Sequence, residues 1–239
     1  MRVAALYDVH GNFPALEAVL GEMDADAILV GGDVASGPFP RETLERLQAY
    51  GPRVHFLRGN ADRVLDFAGS NDGEAWVRSR YWVAERLGEE QLAFLAGLPL
   101  DVTLDVEGLG PVRFCHGAPG SDEQVITRVT SDERLRDLLA AVEERTVVCG
   151  HTHIQFDRVL DGIRVLNAGS VGAPYEDRRG AYWLELGPDV SFRRTEYDVE
   201  TAAAAITETG FPNAAQTNGF ILDAEAGRGD RMSALIEGV

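Results

Sequence analysis

Cysteine is scarce in this chain. Cys115 and Cys149 are the only two in 239 residues, too few for a disulfide framework and in keeping with a reducing compartment. Long apolar runs are missing as well, so no segment is read as a membrane span. The apolar part of the opening MRVAALYDVHG is too short for a signal-peptide core and is broken by Asp8 and His10, which makes the cytoplasm the expected location. Positive charge is in short supply: 22 basic against 39 acidic residues leave a formal net charge of −17. That balance repels polyanions and argues against general nucleic-acid binding or an anionic membrane surface. A phosphate-bearing substrate would therefore need a local source of positive charge. Neither G-x-x-x-x-G-K-[ST] nor a well-placed G-x-G-x-x-G occurs, which removes the P-loop and Rossmann readings. No repeat, low-complexity tract or linker divides the chain, so residues 1–239 are read as one domain.

What is present is the composition of a globular protein, 45% hydrophobic and 26% charged, at a length that supports a well-buried core. Apolar runs alternate with helical patterns as a βαβ layout requires, which predicts an α/β fold. RVAALY, DAILV and RVHFL read as the first three strands, PALEAVLGEM as a helix opened by Pro14, and PRETLERLQAY as a helix stopped by Gly51 and Pro52. A helical insert with Gly interruptions is expected around 62–98, carrying Trp76, Tyr81 and Trp82. The period then changes to that of strands: LDVTLDVEG, PVRFCHG, RTVVCGHTH, FDRVLDGIRVLNAG with an Asp161-Gly162 hairpin turn, and GAYWLELGPDVSFRRTEYD. The helix SDERLRDLLAAVEE interrupts them. The tail, around 200–239, reads as one more helix followed by a loosely specified segment.

In open α/β sheets ligands gather beyond the carboxyl ends of strands, and here the loops at those ends share a chemistry. They read YDVHGN, VGGDVASG, LRGNADR, FCHGAPG and VCGHTHIQ, and they contain four of the five histidines. Any one loop is explained as a turn, since Asp and Asn beside Gly favour turns. Five such loops, each after a strand, are not explained independently. Asp8, His10, Asp33, Asn60, His116, His151 and His153 make too many candidate ligands for a closed tetrahedral site and a set too rich in oxygen for structural zinc. Two ions sharing the Asp33 carboxylate fit better. Two cations about 3.5–4 Å apart activate water at neutral pH and clamp the oxygens of an in-line displacement, and they supply the positive charge the chain otherwise lacks.

The series DVHGN, GGD, GN, H and GHTH resembles the calcineurin-like metallophosphoesterase family, in particular its small bacterial and archaeal phosphodiesterase-like branch. LNAGSVGAP resembles the Asn-Pro-Gly-Ser segment that this branch places after the histidine pair. The resemblance implies a four-layer αββα sandwich of two mixed β-sheets flanked by helices. It implies one metal held by Asp8, His10, Asp33 and His153, and another held by Asp33, Asn60, His116 and His151. It also implies attack on phosphorus by a hydroxide bridging the two metals. One motif departs from the family: GNAD places Ala61 where a histidine near the departing oxygen is expected. General acid–base assistance contributes roughly 10²–10⁴-fold, so its loss favours good leaving groups without abolishing hydrolysis.

The sequence therefore predicts a dinuclear metal-dependent phosphoesterase of phosphodiesters, with monoesters also possible. Mn²⁺ is the expected cofactor, and Fe, Zn, Co or Ni are compatible with mixed Asp, Asn and His ligation. Asp33 and Asn60 carry the chemistry at the metals, and Asp62 is expected to orient His10 or Asn60 from behind. Asn12, Asn60 and Arg58 are the candidate contacts to a small phosphorylated substrate, Asn12 being read equally well as forming the turn before Pro14, whereas Arg178 and Arg179 read as solvated surface. Cys115 and Cys149 read as buried, inert thiols and His55 as structural. A metallo-β-lactamase type of hydrolase expects a contiguous H-x-H-x-D-H, which is absent. The alternative is a metal-holding interaction module that kept the fold and lost catalysis, for which Ala61 is the one support.

Overall fold

The computed structural model describes residues 1–64 and 74–238. Its strands form two five-stranded mixed sheets. The first has the order β10-β9-β1-β2-β3, built from β1 (Val3–Leu6), β2 (Ala27–Gly31), β3 (Val54–Leu57), β9 (Ala181–Leu186) and β10 (Val190–Thr195). The second has the order β4-β5-β6-β8-β7, built from β4 (Asp101–Val106), β5 (Gly110–Cys115), β6 (Thr146–Cys149), β7 (Phe156–Leu160) and β8 (Ile163–Asn167). Strands β1, β2 and β3 run parallel to one another, as do β5, β6 and β8. Every loop that carries a predicted ligand follows one of these parallel strands, so the parallel cores of both sheets deliver their loops to one end.

Three apolar layers hold the four structural layers together. Alternate residues of β1 and β2 (Ala4, Leu6, Ile28 and Val30) face α1 (Phe13–Glu22) and α2 (Pro40–Gln48) through Leu16, Val19, Leu44 and Leu47. The opposite faces, Val3, Ala5, Leu29 and Leu57, pack on Val112, Phe114, Val148 and Leu166 of the second sheet. Beyond that sheet, Val147, Phe156 and Val165 cover Leu135 and Leu139 of α4 (Asp132–Leu139). This is the αββα sandwich that the resemblance implied. The Asp161-Gly162 turn closes the β7–β8 hairpin with both residues at positive φ, as a tight turn of this type requires.

The helical insert is α3 (Glu74–Ala96), broken at Gly88, and the part of it predicted over 65–73 lies outside the described residues. The tail departs from expectation. In place of one helix and a loose segment it holds α5 (Val199–Glu208), α6 (Ala214–Leu222) and α7 (Arg228–Glu237). They are stabilised by contacts that a local pattern does not reveal: Ala202, Ala203, Ile206 and Ile221 form a small core of their own. Glu237 accepts hydrogen bonds from Thr127 and Thr130 more than 100 residues away.

Tyr7, at the end of β1, is fully buried between the sheets, and its hydroxyl donates to the Val148 carbonyl of β6 at 3.0 Å. Its ring fits because Gly31 lacks a side chain, since a Cβ there would lie 2.1 Å from the ring. Tyr7 is thus a strut between the sheets directly beneath the loops of interest. Tyr7→Ala is expected to cost about 3–5 kcal/mol and Tyr7→Phe about 1 kcal/mol. The midpoint of urea unfolding at constant slope reads both values.

Candidate metal centre

Asp8 and His10 follow β1, Asp33 follows β2, Asn60 follows β3, His116 follows β5, and His151 and His153 follow β6. Asp8, His10, Asp33, His151 and His153 have φ between 47° and 65°, the left-handed region that non-glycine residues rarely occupy. Asp161 is the one other such non-glycine residue among those described. Left-handed backbone turns each chain sharply off its strand, so that the side chain points back over the sheet ends. Gly32, at φ +91°, makes room beside them: a Cβ there would meet the His116 ring and the Gly59 backbone at 2.6 Å.

The side chains converge as two adjoining groups, Asp8 with His10 and His153, and Asp33 with His116 and His151. The groups face each other across short distances. His10 Nε2 lies 3.8 Å from Asp8 Oδ1 and 3.7 Å from Asp33 Oδ2, and His116 Nε2 lies 3.9 Å and 3.6 Å from the same two oxygens. His153 Nε2 is 3.2 Å from Asp8 Oδ1, and Asn60 Oδ1 is 3.1 Å from His116 Nε2. Each carboxylate spends one oxygen on a backbone donor. Asp8 Oδ2 accepts from the His151 N–H at 2.9 Å, and Asp33 Oδ1 accepts from the Ala61 N–H at 2.8 Å. The remaining oxygen of each is aimed at the imidazoles.

These residues fit a pair of divalent cations. Asp8 Oδ1 is buried and accepts no well-aligned hydrogen bond, a state that costs free energy unless a cation meets it. His116 Nδ1 donates to the Gly31 carbonyl at 2.8 Å and His153 Nδ1 donates to the Ala173 carbonyl at 2.6 Å, which leaves both Nε2 atoms to serve as ligands. His10 Nε2 and His153 Nε2 point at each other across 3.2 Å, where two proton-bearing nitrogens would repel. The electrostatics agree. Burial alone would lower His116, but the Asp33 and Asp8 carboxylates overcome it and raise the imidazole to about 10. His153 is likewise raised against burial, mainly by Asp8, while burial lowers His10 and His151. Asp8 and Asp33 are buried, yet their histidine neighbours hold both below the ordinary carboxylate range. The pocket calls for positive charge.

The profile of the calcineurin-like phosphoesterase superfamily domain matches residues 1–186. The chain belongs to that family. An uncharacterised protein of Methanocaldococcus jannaschii is 25% identical over 238 residues, covering 88% of this chain and 93% of that one. The crystal structure of a metallophosphoesterase from Sphaerobacter thermophilus is similar at 26% identity and a TM-score of 0.73, over 93% of this chain and 98% of that one. A hypothetical protein from Pyrococcus horikoshii OT3 shares the fold at a TM-score of 0.77 and 21% identity, over 92% of this chain and 97% of that one. The family and its fold support a metal-using phosphoesterase hydrolase in general terms. The segment after β8 acts as a clasp here: Asn167 Nδ2 donates to the Gly150 carbonyl, and Ser170 Oγ donates to the Asp8 carbonyl.

Three predicted roles are corrected by the structure. Asn12 is fully buried, caps α1 by accepting from the Ala15 N–H and donates to the Gly172 carbonyl, so it is a structural cap with no atom for a substrate. Arg58 binds Asp122 at 3.1 Å and, with Arg63 and Leu92, lines a different cavity from the one over the candidate ligands. Asp62 orients neither His10 nor Asn60. Its carboxylate accepts from the backbone N–H groups of Asp33, Val34 and Gly59 at 2.7–3.0 Å and so ties the β2 and β3 loops together. Burial and then the Asp33 charge push Asp62 up to about 7, against those three donors. Arg178 faces Glu196 and Arg179 binds Glu200, both on the surface. Cys115 and Cys149 are buried, and burial pushes Cys149 up to about 12, which keeps it an inert thiol.

The cleft also includes residues that the sequence did not single out for this site: Ser36, Trp76, Tyr175, Phe211, Gln216 and Phe220 among them. They are scattered from α2's approach to the tail, and no local motif connects them.

His116 sets a pH dependence. Its folded value near 10 lies above the ordinary imidazole value near 6.5. Its contribution to the stability of the metal-free protein is therefore complete below about pH 6.5 and lost as pH rises through 10. A cation held by His116 would have to displace that proton. Between pH 7 and 10, Mn²⁺ affinity is expected to rise by up to about tenfold per pH unit, with release of about one proton. Calorimetric titrations in buffers of different ionisation heat measure both quantities, and a flat affinity over that range would count against His116 as a ligand.

Proposed function

We propose that the protein is a dinuclear metal-dependent phosphoesterase acting on small phosphodiesters, with Asp33 as the shared ligand. The observation that carries this reading is the position of Asp33 Oδ2, which faces His10 and His116, one from each ligand group, at 3.7 and 3.6 Å. Asp8, His10 and His153 would hold one cation and Asn60, His116 and His151 the other. When bound, such a pair would acidify a water at neutral pH and neutralise charge on phosphoryl oxygens. The chain's own part is to fix the ligands. The Asp62 clasp holds the Asp33 and Asn60 loops in register, and the Nδ1 bonds of His116 and His153 fix ring orientation.

Diesters are favoured because the cleft lacks a spare imidazole. Four of the five histidines are in the ligand set, His55 lies within β3, and Ala61 supplies only a methyl group. With no imidazole beside the leaving oxygen, esters of acidic alcohols and phenols are the better substrates. The mixed oxygen and nitrogen donors suit Mn²⁺, and the two buried thiols suit the reducing cytoplasm. No helix among the described residues is long and apolar enough to cross a membrane.

The test is hydrolysis of bis-p-nitrophenyl phosphate beside p-nitrophenyl phosphate by metal-stripped protein with Mn²⁺ restored. Turnover is expected only with metal and with the diester preferred. Asp33→Asn should remove nearly all of it, and near-normal turnover in that variant with unchanged metal content would refute the shared-ligand scheme. Ala61→His should raise monoester turnover, by about 10²-fold if the new imidazole reaches the lower end of general acid assistance. Uptake of two ions without turnover of either ester would favour the catalytically silent module.

A further inference from the structure

The cleft over the candidate ligands has two kinds of surface. Its floor is imidazole and carboxylate, whereas its walls carry four rings: Trp76 from the first turn of α3, Tyr175 from the loop after β8, Phe211 before α6 and Phe220 within α6. Gln216 and Thr217 add neutral polar groups. All 22 cationic side chains of this protein are arginines, yet none is among the described residues that line the cleft. Arg228 lies over the Tyr175 ring at 5.4 Å without lining the cleft itself.

The rings are ordered outward from a ligand. Tyr175 stacks on His153 with centroids 5.4 Å apart and planes 23° apart, and Phe220 meets Tyr175 edge-on at 5.6 Å. Phe211 is fixed edge-on against Trp82 of α3 at 5.2 Å, which ties the tail to that helix. Trp76 remains 37% exposed and Phe220 is half-buried, so both have ring surface left for a ligand. The cavity measures about 220 Å³, below the 300–1,000 Å³ of sites for drug-sized ligands. It suits a phosphoryl group and one ring. Phe211, Gln216, Thr217 and Phe220 all lie beyond residue 186, where the family profile ends, so this part of the wall lies outside the matched domain.

We propose that α3 and the C-terminal helices make the cleft selective for phosphate diesters whose second ester group carries a planar ring, held against Trp76 and Phe220 with the phosphoryl group over the ligand cluster. The inference rests on the phosphoesterase reading above. A plain aryl group and a nucleobase present the same face to such a wall, because stacking on aromatic side chains tolerates any flat π-surface.

Three p-nitrophenyl diesters with a common leaving group separate these sources: the methyl, phenyl and thymidine-5′ esters. With Mn²⁺-loaded protein, kcat/KM for at least one ring-bearing ester is expected to exceed that of the methyl ester by about tenfold or more, the scale of one lost stacking contact. The double variant Trp76→Ala/Phe220→Ala should lower the ring-bearing esters about tenfold more than the methyl ester. A thymidine ester ahead of the phenyl ester assigns a nucleoside, and the reverse order assigns a simple aryl group. Equal kcat/KM for all three, or an equal loss of all three in the variant, overturns the inference and leaves the phosphoesterase reading standing. Calorimetric titration of diphenyl phosphate against dimethyl phosphate reads the wall without turnover. Tighter binding of the diphenyl compound by wild type and not by the variant upholds the wall even if no ester is hydrolysed, which would sink only the phosphoesterase reading. Equal binding of both compounds by wild type overturns the wall.

Discussion

Two carboxylates, those of Asp8 and Asp33, lie out of contact with water at the tips of neighbouring parallel strands, 0% and 3% exposed, and the surrounding structure is arranged to keep them ionised. Buried charge is costly unless it is paired and hydrogen-bonded. One oxygen of each is satisfied by a backbone N–H, and the other looks toward imidazoles brought in from both sheets. Backbone strain follows from the same demand. Five of the candidate ligand residues adopt left-handed conformations that cost on the order of 1 kcal/mol each. They persist because Asp62, Asn167 and Ser170 pin the surrounding loops, and because Tyr7 braces the two sheets below them.

Much of this could be read from the chain before any coordinates. Strands with a continuous apolar pattern announce parallel pairing with both faces covered, and Asp, His and Asn directly after five of them mark one sheet end as a ligand cluster. The convergence of these loops was legible because metal chemistry admits few residue types and the strand fixes where each loop emerges. The partners of Asn12 and Arg58 were hidden for a shared reason: they are remote in sequence. Asn12 is claimed by Gly172, 160 residues on, and Arg58 by Asp122, 64 residues on. A polar side chain beside a site looks free until its distant partner is known.

The tail was the least legible part. Its helices are short, α6 contains Gly219, and their apolar residues are spent on one another and on α3, with no single broad stripe to show. The ring wall has no local signature at all, since Trp76, Tyr175 and Phe220 meet only through the tertiary fold. All the candidate ligands lie within residues 8–153, inside the family match, while much of the surface facing them comes from outside it. The candidate ligands and the rings that face them thus sit on largely different stretches of one chain.

The spacing of the ligands has a consequence for the order of folding. Parallel neighbours are joined by crossovers, and the cluster draws on β1, β2 and β3 in one sheet and β5 and β6 in the other. Closing such long loops is slow, because their entropy is lost before any long-range contact repays it. No short segment holds a full ligand set, in contrast with small zinc domains that fold around their ion. The cluster comes into being only when the two sheets have docked, so an ion arriving there would seal a finished fold and could not nucleate one.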